Sequence, residues 1–339
     1  MLYLSGAKGD KLLLNDTSLV DCAKRWVTTD ILDTEYANRV VYGYSNGCVT
    51  QFFNSHMDVI AQFQMRNRLM NLPEIKLDIQ RNFIGALDII ATSVTGVSGL
   101  TSYKFPDFIS HIGSQDNPLS KSGLGQCVFD DASQLRTVIL PSELQFLGDD
   151  VFANCSSLTT VKLPEALKAI GIGTFKNCTS LRDINIPSSI HSIGALAFAS
   201  CKSIEHLDLP ASLEFIESHA FTGCDGLTSV SLPDSLYTVS NSLLEFCSNL
   251  RSVRLPRFPI KAKDRAQATS TIKAHGYKSS LNKGVFRACT SLEEVEVPMG
   301  YDYIMQDAFY GCANLKRVRI HGKPKVLCNF PKHTIVEEV

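Results

Sequence analysis

The chain has 339 residues, of which 44% are hydrophobic and 20% are charged, and its formal net charge is -1 at pH 7. These values are ordinary for a soluble, folded protein, and a chain of this length holds either two domains or an extended repeat array. The near-neutral charge gives no general attraction to nucleic acid or to anionic membranes. No apolar run reaches the ~18–20 residues that are needed to cross a bilayer.

Residues 1–93 show no clear repeat, and we predict that they form an α+β region that caps or attaches the rest of the chain. The spacing of apolar residues in 19–26 and 57–70 is typical of amphipathic helices. Residues 83–90 can form a degenerate first coil. The first ten residues lack the basic and apolar segments of a secretory signal. We therefore expect a cytoplasmic protein or a component of an assembled particle rather than a cell-surface protein.

A 23-residue repeat begins near residue 94 and continues to about residue 321. Each unit reads Phe-x-x-Cys-x-x-Leu-x-x-Val-x-Leu-Pro, followed by Leu-x-x-Ile and the next Phe. The phenylalanine position is occupied by Phe129, Phe152, Phe175, Phe198, Phe221, Phe286 and Phe309. Leu244 occupies the same position in the unit between Phe221 and Phe286. Strict periodicity of this kind predicts a solenoid, in which stacked coils bury a common core.

Elementary geometry explains the repeat. Alternation along a strand points Val161 and Leu163 inward and Thr160 and Lys162 outward. Pro164 cannot donate to the hydrogen-bond ladder, so it ends the strand. The Phe-x-x-Cys spacing fits one helical turn, which closes the coil with both side chains inside.

These units resemble the BspA-type leucine-rich repeats, whose 23-residue unit carries the same Phe-x-x-Cys-x-x-Leu-x-x-Val-x-Leu-Pro signature. The resemblance covers about residues 94–321. It implies a leucine-rich-repeat solenoid, which is β-rich and has short strands with helical turns. It also implies surface adhesion, host-protein binding or another protein–protein contact.

Two insertions interrupt the array, and a third segment, residues 322–339, is predicted to be the C-terminal cap. Residues 113–125 have the composition of a loop. Residues 257–283 are strongly basic, and form either a solvated excursion or a contact loop for an acidic partner. They have few aromatic residues between the basic ones, so we expect no specific nucleic acid. The candidate contact residues of this basic loop are Arg257, Lys261, Lys263, Arg265, Lys273 and Lys278.

No catalytic or metal-binding motif is recognisable. The repeated cysteines form a straight column, whereas a metal needs three or four ligands around one point. We therefore interpret them as small buried hydrophobic residues. The histidines lack metal-binding spacing, and the sequence has neither a phosphate-binding loop nor a Gly-x-Ser-x-Gly motif. We predict a protein that is not an enzyme and that binds no metal or cofactor.

The positions that the repeat leaves free are the outward strand residues, which should form a continuous polar face about nine coils and roughly 40 Å long. This face is either merely solvated or a recognition surface for a protein partner, and its lack of aromatic residues argues against a dominant hydrophobic hot spot. The candidate residues are Lys162, Asp183, Asn185, His206, Asp208, Arg254, Glu294, Glu296, Arg317 and Arg319. We predict a protein- or ligand-binding module. The alternative is a structural or attachment component of a larger assembly, such as a phage or virus particle or an intracellular scaffold.

Overall fold

A computed structural model describes residues 101–105, 111–112, 128–129, 132–257 and 279–339, except for the side chains of Lys104 and His111. It also describes the backbone of seven strands between residues 2 and 95. The described residues contain strands and turns and no helix. In chain order the strands are β1 (Leu2–Gly6), β2 (Lys11–Leu14), β3 (Tyr42–Ser45), β4 (Val49–Phe53), β5 (Val59–Gln64), β6 (Glu74–Arg81), β7 (Leu87–Thr95), β8 (Ser102–Lys104), β9 (His111–Ile112), β10 (Thr137–Ile139), β11 (Phe146–Leu147), β12 (Thr160–Lys162), β13 (Ala169–Ile170), β14 (Asp183–Asn185), β15 (Ser192–Ile193), β16 (Phe215–Ile216), β17 (Ser229–Ser231), β18 (Ser252–Arg254), β19 (Ser280–Leu281), β20 (Glu294–Val297), β21 (Tyr303–Ile304), β22 (Arg317–Ile320), β23 (Lys325–Val326) and β24 (Ile335–Glu338).

From β7 onward the chain winds into a parallel β-solenoid with three sides. The strand face carries the ladders β8-β10-β12-β14 and β17-β18-β20-β22-β24. A second face carries β7-β9-β11-β13-β15-β16 and β19-β21-β23. The third side consists of the turns around the repeated Phe and Cys residues, and we call it the turn face. The leucine-rich-repeat solenoid predicted from the repeat is thereby confirmed.

The N-terminal region differs from its prediction. Residues 57–70 were expected to be a helix, but β5 occupies residues 59–64 and pairs in antiparallel fashion with β1 and β4. Alternating residues such as Val59, Ala61 and Phe63 fit an extended strand as well as a helix, and pairing on both edges selects the strand. The predicted helix at 19–26 lies outside the described residues. β6 and β7 form a hairpin, and β7 spans the predicted boundary at 93/94 and pairs in parallel with β9.

The core is built from the fixed residues of the repeat. The rings of Phe129, Phe152, Phe175, Phe198 and Phe221 stack with neighbouring centroids 5.2–5.4 Å apart. The column cysteines, valines and leucines are also buried beside them. Burying each large apolar side chain stabilises the fold by about 1.5–3 kcal/mol. No coil could do this alone, so stability comes from stacking.

The turn face shows why small or polar residues accompany each Phe. In place of the expected helical turn, the N–H of Cys178 bonds to the carbonyl of Phe175, three residues earlier, in a tight turn. In the coils from Phe152 onward, the residues two positions before and two positions after the Phe have positive φ, as at Gly173 (61°) and Asn177 (61°). Glycine and asparagine adopt this left-handed conformation at low cost. Gly173 and Asn177 therefore suit the backbone geometry, whereas Leu196 and Phe246 adopt the same conformation at a higher cost.

The strand face is not continuous, contrary to the prediction. Residues 205–209 are not a strand, and among the described residues no backbone hydrogen bond joins them to either neighbouring coil. The same coil stays attached elsewhere: β15 pairs with β16 on the second face, and the N–H of Phe198 bonds to the carbonyl of Ala220 on the turn face. The solenoid therefore opens on one side only, between β14 and β17.

We attribute this opening to one substitution in the repeat. The central residue of the strand-face strands β10, β12, β14, β17, β18, β20 and β22 is Val or Ile, as in Val161, Ile184 and Val230, but this coil has Leu207. β-branched side chains favour the extended backbone, whereas leucine and the adjacent Asp208 favour it less. Leu207 remains buried with 5% exposure, so the coil keeps its core contact while its backbone leaves the ladder.

Candidate functional site

The structure places all ten predicted strand-face residues on the outside of the solenoid. Nine of them are exposed and Arg317 is half-buried. Eight lie in strands as expected: Lys162 in β12, Asp183 and Asn185 in β14, Arg254 in β18, Glu294 and Glu296 in β20, and Arg317 and Arg319 in β22. His206 and Asp208 point outward but lie in the unpaired segment 205–209, not in a strand.

The charges of the C-terminal half neutralise one another. Arg317 Nη1 lies 3.0 Å from Glu294 Oε1, and Arg319 Nε lies 3.0 Å from Glu337 Oε2. These pairs join adjacent coils, because β22 pairs with β20 on one side and with β24 on the other. The interaction with Glu337 raises the pKa of Arg319. This half of the face therefore offers a partner little free charge.

A similar pairing holds Arg254. Its Nη2 lies 2.7 Å from Asp234 Oδ2, and the backbone N–H of Arg257 donates to Asp234 Oδ1 over 2.8 Å. The bond from Arg257, with a smaller contribution from Arg254, lowers the pKa of Asp234. Arg257 is the one candidate of the predicted basic loop that the structure describes. The other candidates, Lys261, Lys263, Arg265, Lys273 and Lys278, lie outside the described residues.

The middle of the strand face contains a cleft at the opening of the ladder. Its volume is about 420 Å³, which lies within the usual range for ligand sites. Buried Ile184 contributes to its lining. The polar residues that line it are Arg182, Asp183, Asn185, Ser203, Glu205, His206 and Asp208.

The cleft differs from the C-terminal half in its charge. None of the described ion pairs involves its residues, and of its polar side chains only Ser203 has a described hydrogen bond, donated to the carbonyl of Thr179. Its lining contains three carboxylates, those of Asp183, Glu205 and Asp208, and one guanidinium, that of Arg182. The cleft is thus open to solvent and has an excess of negative charge that no described ion pair neutralises.

Sequence reasoning missed four residues of this cleft: Ile184, Ser203 and the two charged residues Arg182 and Glu205. Each of the two charged residues directly follows the buried Leu or Ile that precedes the strand, as Thr228 and Arg251 do in the next coils, and this position forms a third outward column. The pattern was readable from the 23-residue period. The opening was not predictable from the repeat, because it depends on backbone hydrogen bonds, whose loss we attribute to Leu207.

In the part of the chain that the structure describes, the exposed aromatic side chains lie on the turn face and not on the strand face. Phe246 is 53% exposed and Tyr310 is 62% exposed. The guanidinium of Arg287 lies 5.4 Å from the centroid of the Tyr310 ring, and its Nε lies 3.6 Å from the buried carboxylate of Glu245. Both aromatics occupy turn positions that the repeat leaves variable.

The cysteine column is a structural feature of the core. The column members from Cys155 to Cys312 are buried thiols. Burial raises the pKa of Cys247 and of Cys312 to about 12, which disfavours the reactive thiolate. Across the described ranges, no group of three His, Cys, Asp or Glu side chains is arranged to hold a metal ion. Nor does the described part of the chain include a helix long and apolar enough to cross a membrane.

Comparison with known proteins agrees with this architecture. The family model for the BspA type leucine rich repeat region, in six copies, matches residues 116–227 and 215–330. A leucine-rich repeat protein from Bacteroides ovatus has a similar structure, with a TM-score of 0.53 and 21% sequence identity over 81% of this chain and 72% of that chain. This similarity concerns the fold alone.

Two further solved structures are less similar. The T. pallidum leucine rich repeat protein has a TM-score of 0.44 and 27% identity, over 60% of this chain and 94% of that chain. The pneumococcal vaccine antigen PcpA has a TM-score of 0.37 and 16% identity, over 68% of each chain. No curated protein matches the chain in sequence.

Proposed function

This chain belongs to the family of proteins with BspA type leucine rich repeat regions, and on that premise we propose that it is a recognition module that binds another protein through its strand face. Repeats of this family are generally binding modules without enzymatic activity. Binding of an adhesion type is the form of protein recognition that the resemblance favours.

One observation carries this proposal. The strand face is rigidly spaced by a fixed core, while its outward residues vary from coil to coil, and in its middle part Lys162, Asp183, Asn185, His206 and Asp208 are exposed and take part in none of the described ion pairs. Polar groups without internal partners can bond to a ligand without first breaking contacts. The alternative attachment role concerns residues 1–93, whose side chains lie outside the described residues.

A selection experiment tests the proposal without knowledge of the natural partner. The full chain is immobilised, and a phage-displayed random library of extended peptides about twelve residues long is selected on it. Enriched peptides are then synthesised, and their affinities are measured for the chain and for two variants. The strand-face variant carries Asp183→Asn, Asp208→Asn, Glu294→Gln and Glu296→Gln.

The control variant carries Glu165→Gln and Lys168→Gln, two exposed residues outside the outward strand columns. We expect the strand-face variant to lose affinity for most enriched peptides by about tenfold or more, while the control variant keeps it. Enriched peptides that bind both variants as tightly as the unaltered chain would contradict the proposal.

A further inference from the structure

We propose that the cleft between β14 and residues 205–209 binds an extended segment of a partner protein, whose lysine or arginine side chain enters the cleft. This inference rests on the proposed function and names the position and the chemistry of the contact. Its basis is the coincidence of an open sheet edge, a cavity and unneutralised charge at one place in the solenoid.

The sheet edge supplies the first element. β14 is the last strand of its ladder, and the next coil does not pair with it. An unpaired edge presents a row of N–H and C=O groups, which are a template for another extended chain. Recognition by addition of a strand takes its affinity from such main-chain bonds and its specificity from side-chain pockets. Among the described residues, the broken ladder leaves this edge of β14 without a partner strand.

The cavity supplies the second element. Its volume of about 420 Å³ is lined on one wall by Asp183 and Asn185 and on the other by Glu205, His206 and Asp208. The walls diverge on the strand face alone, because the second face and the turn face remain hydrogen-bonded. The opening is therefore a wedge between two coils whose other sides stay hydrogen-bonded, with buried Ile184 and exposed carboxylates in its lining.

Charge is the third element, and it determines which kind of side chain the cleft can bind. The wedge holds three carboxylates, Asp183, Glu205 and Asp208, and one guanidinium, that of Arg182. A cation bonded to two carboxylates forms charge-assisted hydrogen bonds, which are stronger than neutral ones, and more so where water is partly excluded. An acidic segment would meet repulsion. The complementary partner is therefore basic.

The test uses the full chain and synthetic extended peptides of about nine residues, in which Ser, Thr and Val flank a central Arg. Matched peptides carry Gln or Glu at the centre, and another keeps Arg but has N-methylated backbone amides on either side of it. Fluorescence anisotropy measures binding to the unaltered chain, to a cleft variant with Asp183→Asn, Glu205→Gln and Asp208→Asn, and to a control variant with Glu143→Gln and Glu165→Gln, two exposed carboxylates outside the outward strand columns.

We expect the Arg peptide to bind the chain at least about tenfold more tightly than the Gln peptide, and more tightly still than the Glu peptide. The cleft variant should lose this preference, and the control variant should keep it. N-methylation should weaken binding because it removes the donors that pair with β14.

The inference is overturned if the Arg and Gln peptides bind alike, if no peptide binds, or if the cleft variant binds the Arg peptide as the unaltered chain does. If library-selected peptides depend on Glu294 and Glu296 but not on the cleft residues, the inference fails while the proposed function stands. If no selected peptide depends on any strand-face residue, the proposed function itself fails.

Discussion

The thiol of Cys201 donates a hydrogen bond to the main-chain carbonyl of Phe175, with the sulfur 3.1 Å from the oxygen. The same carbonyl accepts the N–H of Cys178 in its own coil, at 3.0 Å. Cys224 and Cys247 repeat the arrangement with Phe198 and Phe221. The cysteine column is therefore more than apolar filling, because the thiols from Cys178 to Cys312 each bond their coil to the preceding one.

Removing one of these thiols should destabilise the solenoid. We expect Cys201→Ala to lower the free energy of unfolding by about 1–3 kcal/mol, since it deletes a buried sulfur and its hydrogen bond. Alanine at this position is compatible with the backbone, because Ala132 occupies it in the coil of Phe129. Urea unfolding followed by circular dichroism measures the change. Cys328→Ala, outside the column, is the control and should cost less; equal losses in both variants would speak against a role for the bond.

The buried thiols also predict loss of stability in alkaline solution. Burial raises the pKa of Cys247 and Cys312 in the folded chain to about 12, above the ~8.5 of an exposed thiol. Stability is therefore fully present below about pH 8.5 and decreases as the pH rises toward 12, because only the unfolded chain releases these protons. Urea midpoints between pH 7 and pH 11 measure the slope. A double variant, Cys247→Ala with Cys312→Ala, should show a shallower slope, and an unchanged slope would refute this origin.

Gly226 should be intolerant of a side chain. A Cβ atom there would lie 2.7 Å from the carbonyl oxygens of Lys202 and Ile204, which belong to the backbone and cannot move aside freely. We expect Gly226→Ala to reduce the free energy of unfolding by about 1–3 kcal/mol. Ser291→Ala provides the matched control, because Ser291 occupies the same position of its coil. Thermal unfolding distinguishes the two, and comparable melting temperatures would show that the coil can adjust.

Leu207 can be replaced to test the origin of the opening. Leu207→Ile restores a β-branched residue at the central inward position, so residues 205–209 should gain ladder hydrogen bonds. Hydrogen exchange read by mass spectrometry should show slower exchange across 205–209 and unchanged exchange across β12. Closing the ladder should also weaken binding of the Arg peptide. Leu213→Ile, at a buried position away from the ladder, controls for the change of side chain; unchanged exchange in Leu207→Ile would contradict our explanation.

The ion pairs of the C-terminal half should contribute little to stability. Arg317→Gln removes contacts to Glu294 and Glu337 at 3.0 and 3.3 Å. The side chains are partly exposed, so we expect a loss of no more than about 1 kcal/mol, and a smaller loss at 1 M salt. Denaturant unfolding at two salt concentrations measures it. A loss of several kcal/mol that salt does not reduce would mean that Arg317 is a core residue of the last coils.

Much of the fold was predictable from sequence because the residues that recur at fixed spacing are the ones that form the core. Phe175, Cys178 and Leu181 represent three such positions, and all three are buried. The outward direction of Asp183 and Asn185 followed from alternation along the strand. The opening beside them was not predictable, since Leu207 satisfies the apolar pattern and changes only the backbone. In the N-terminal region, the apolar residues of 57–70 suited two structures, and strand pairing over long sequence distances decided between them.

The one-sided opening also has a mechanical consequence. A solenoid pulled along its axis bears the load through the hydrogen bonds that cross from coil to coil, and at residues 205–209 the bonds of one side are missing. Tension should therefore concentrate on the two remaining sides of this coil, and the array should bend and lengthen there first. If the chain is anchored at one end and binds its partner in this cleft, tension would deform the cleft itself, and the affinity for the partner would then depend on the applied force.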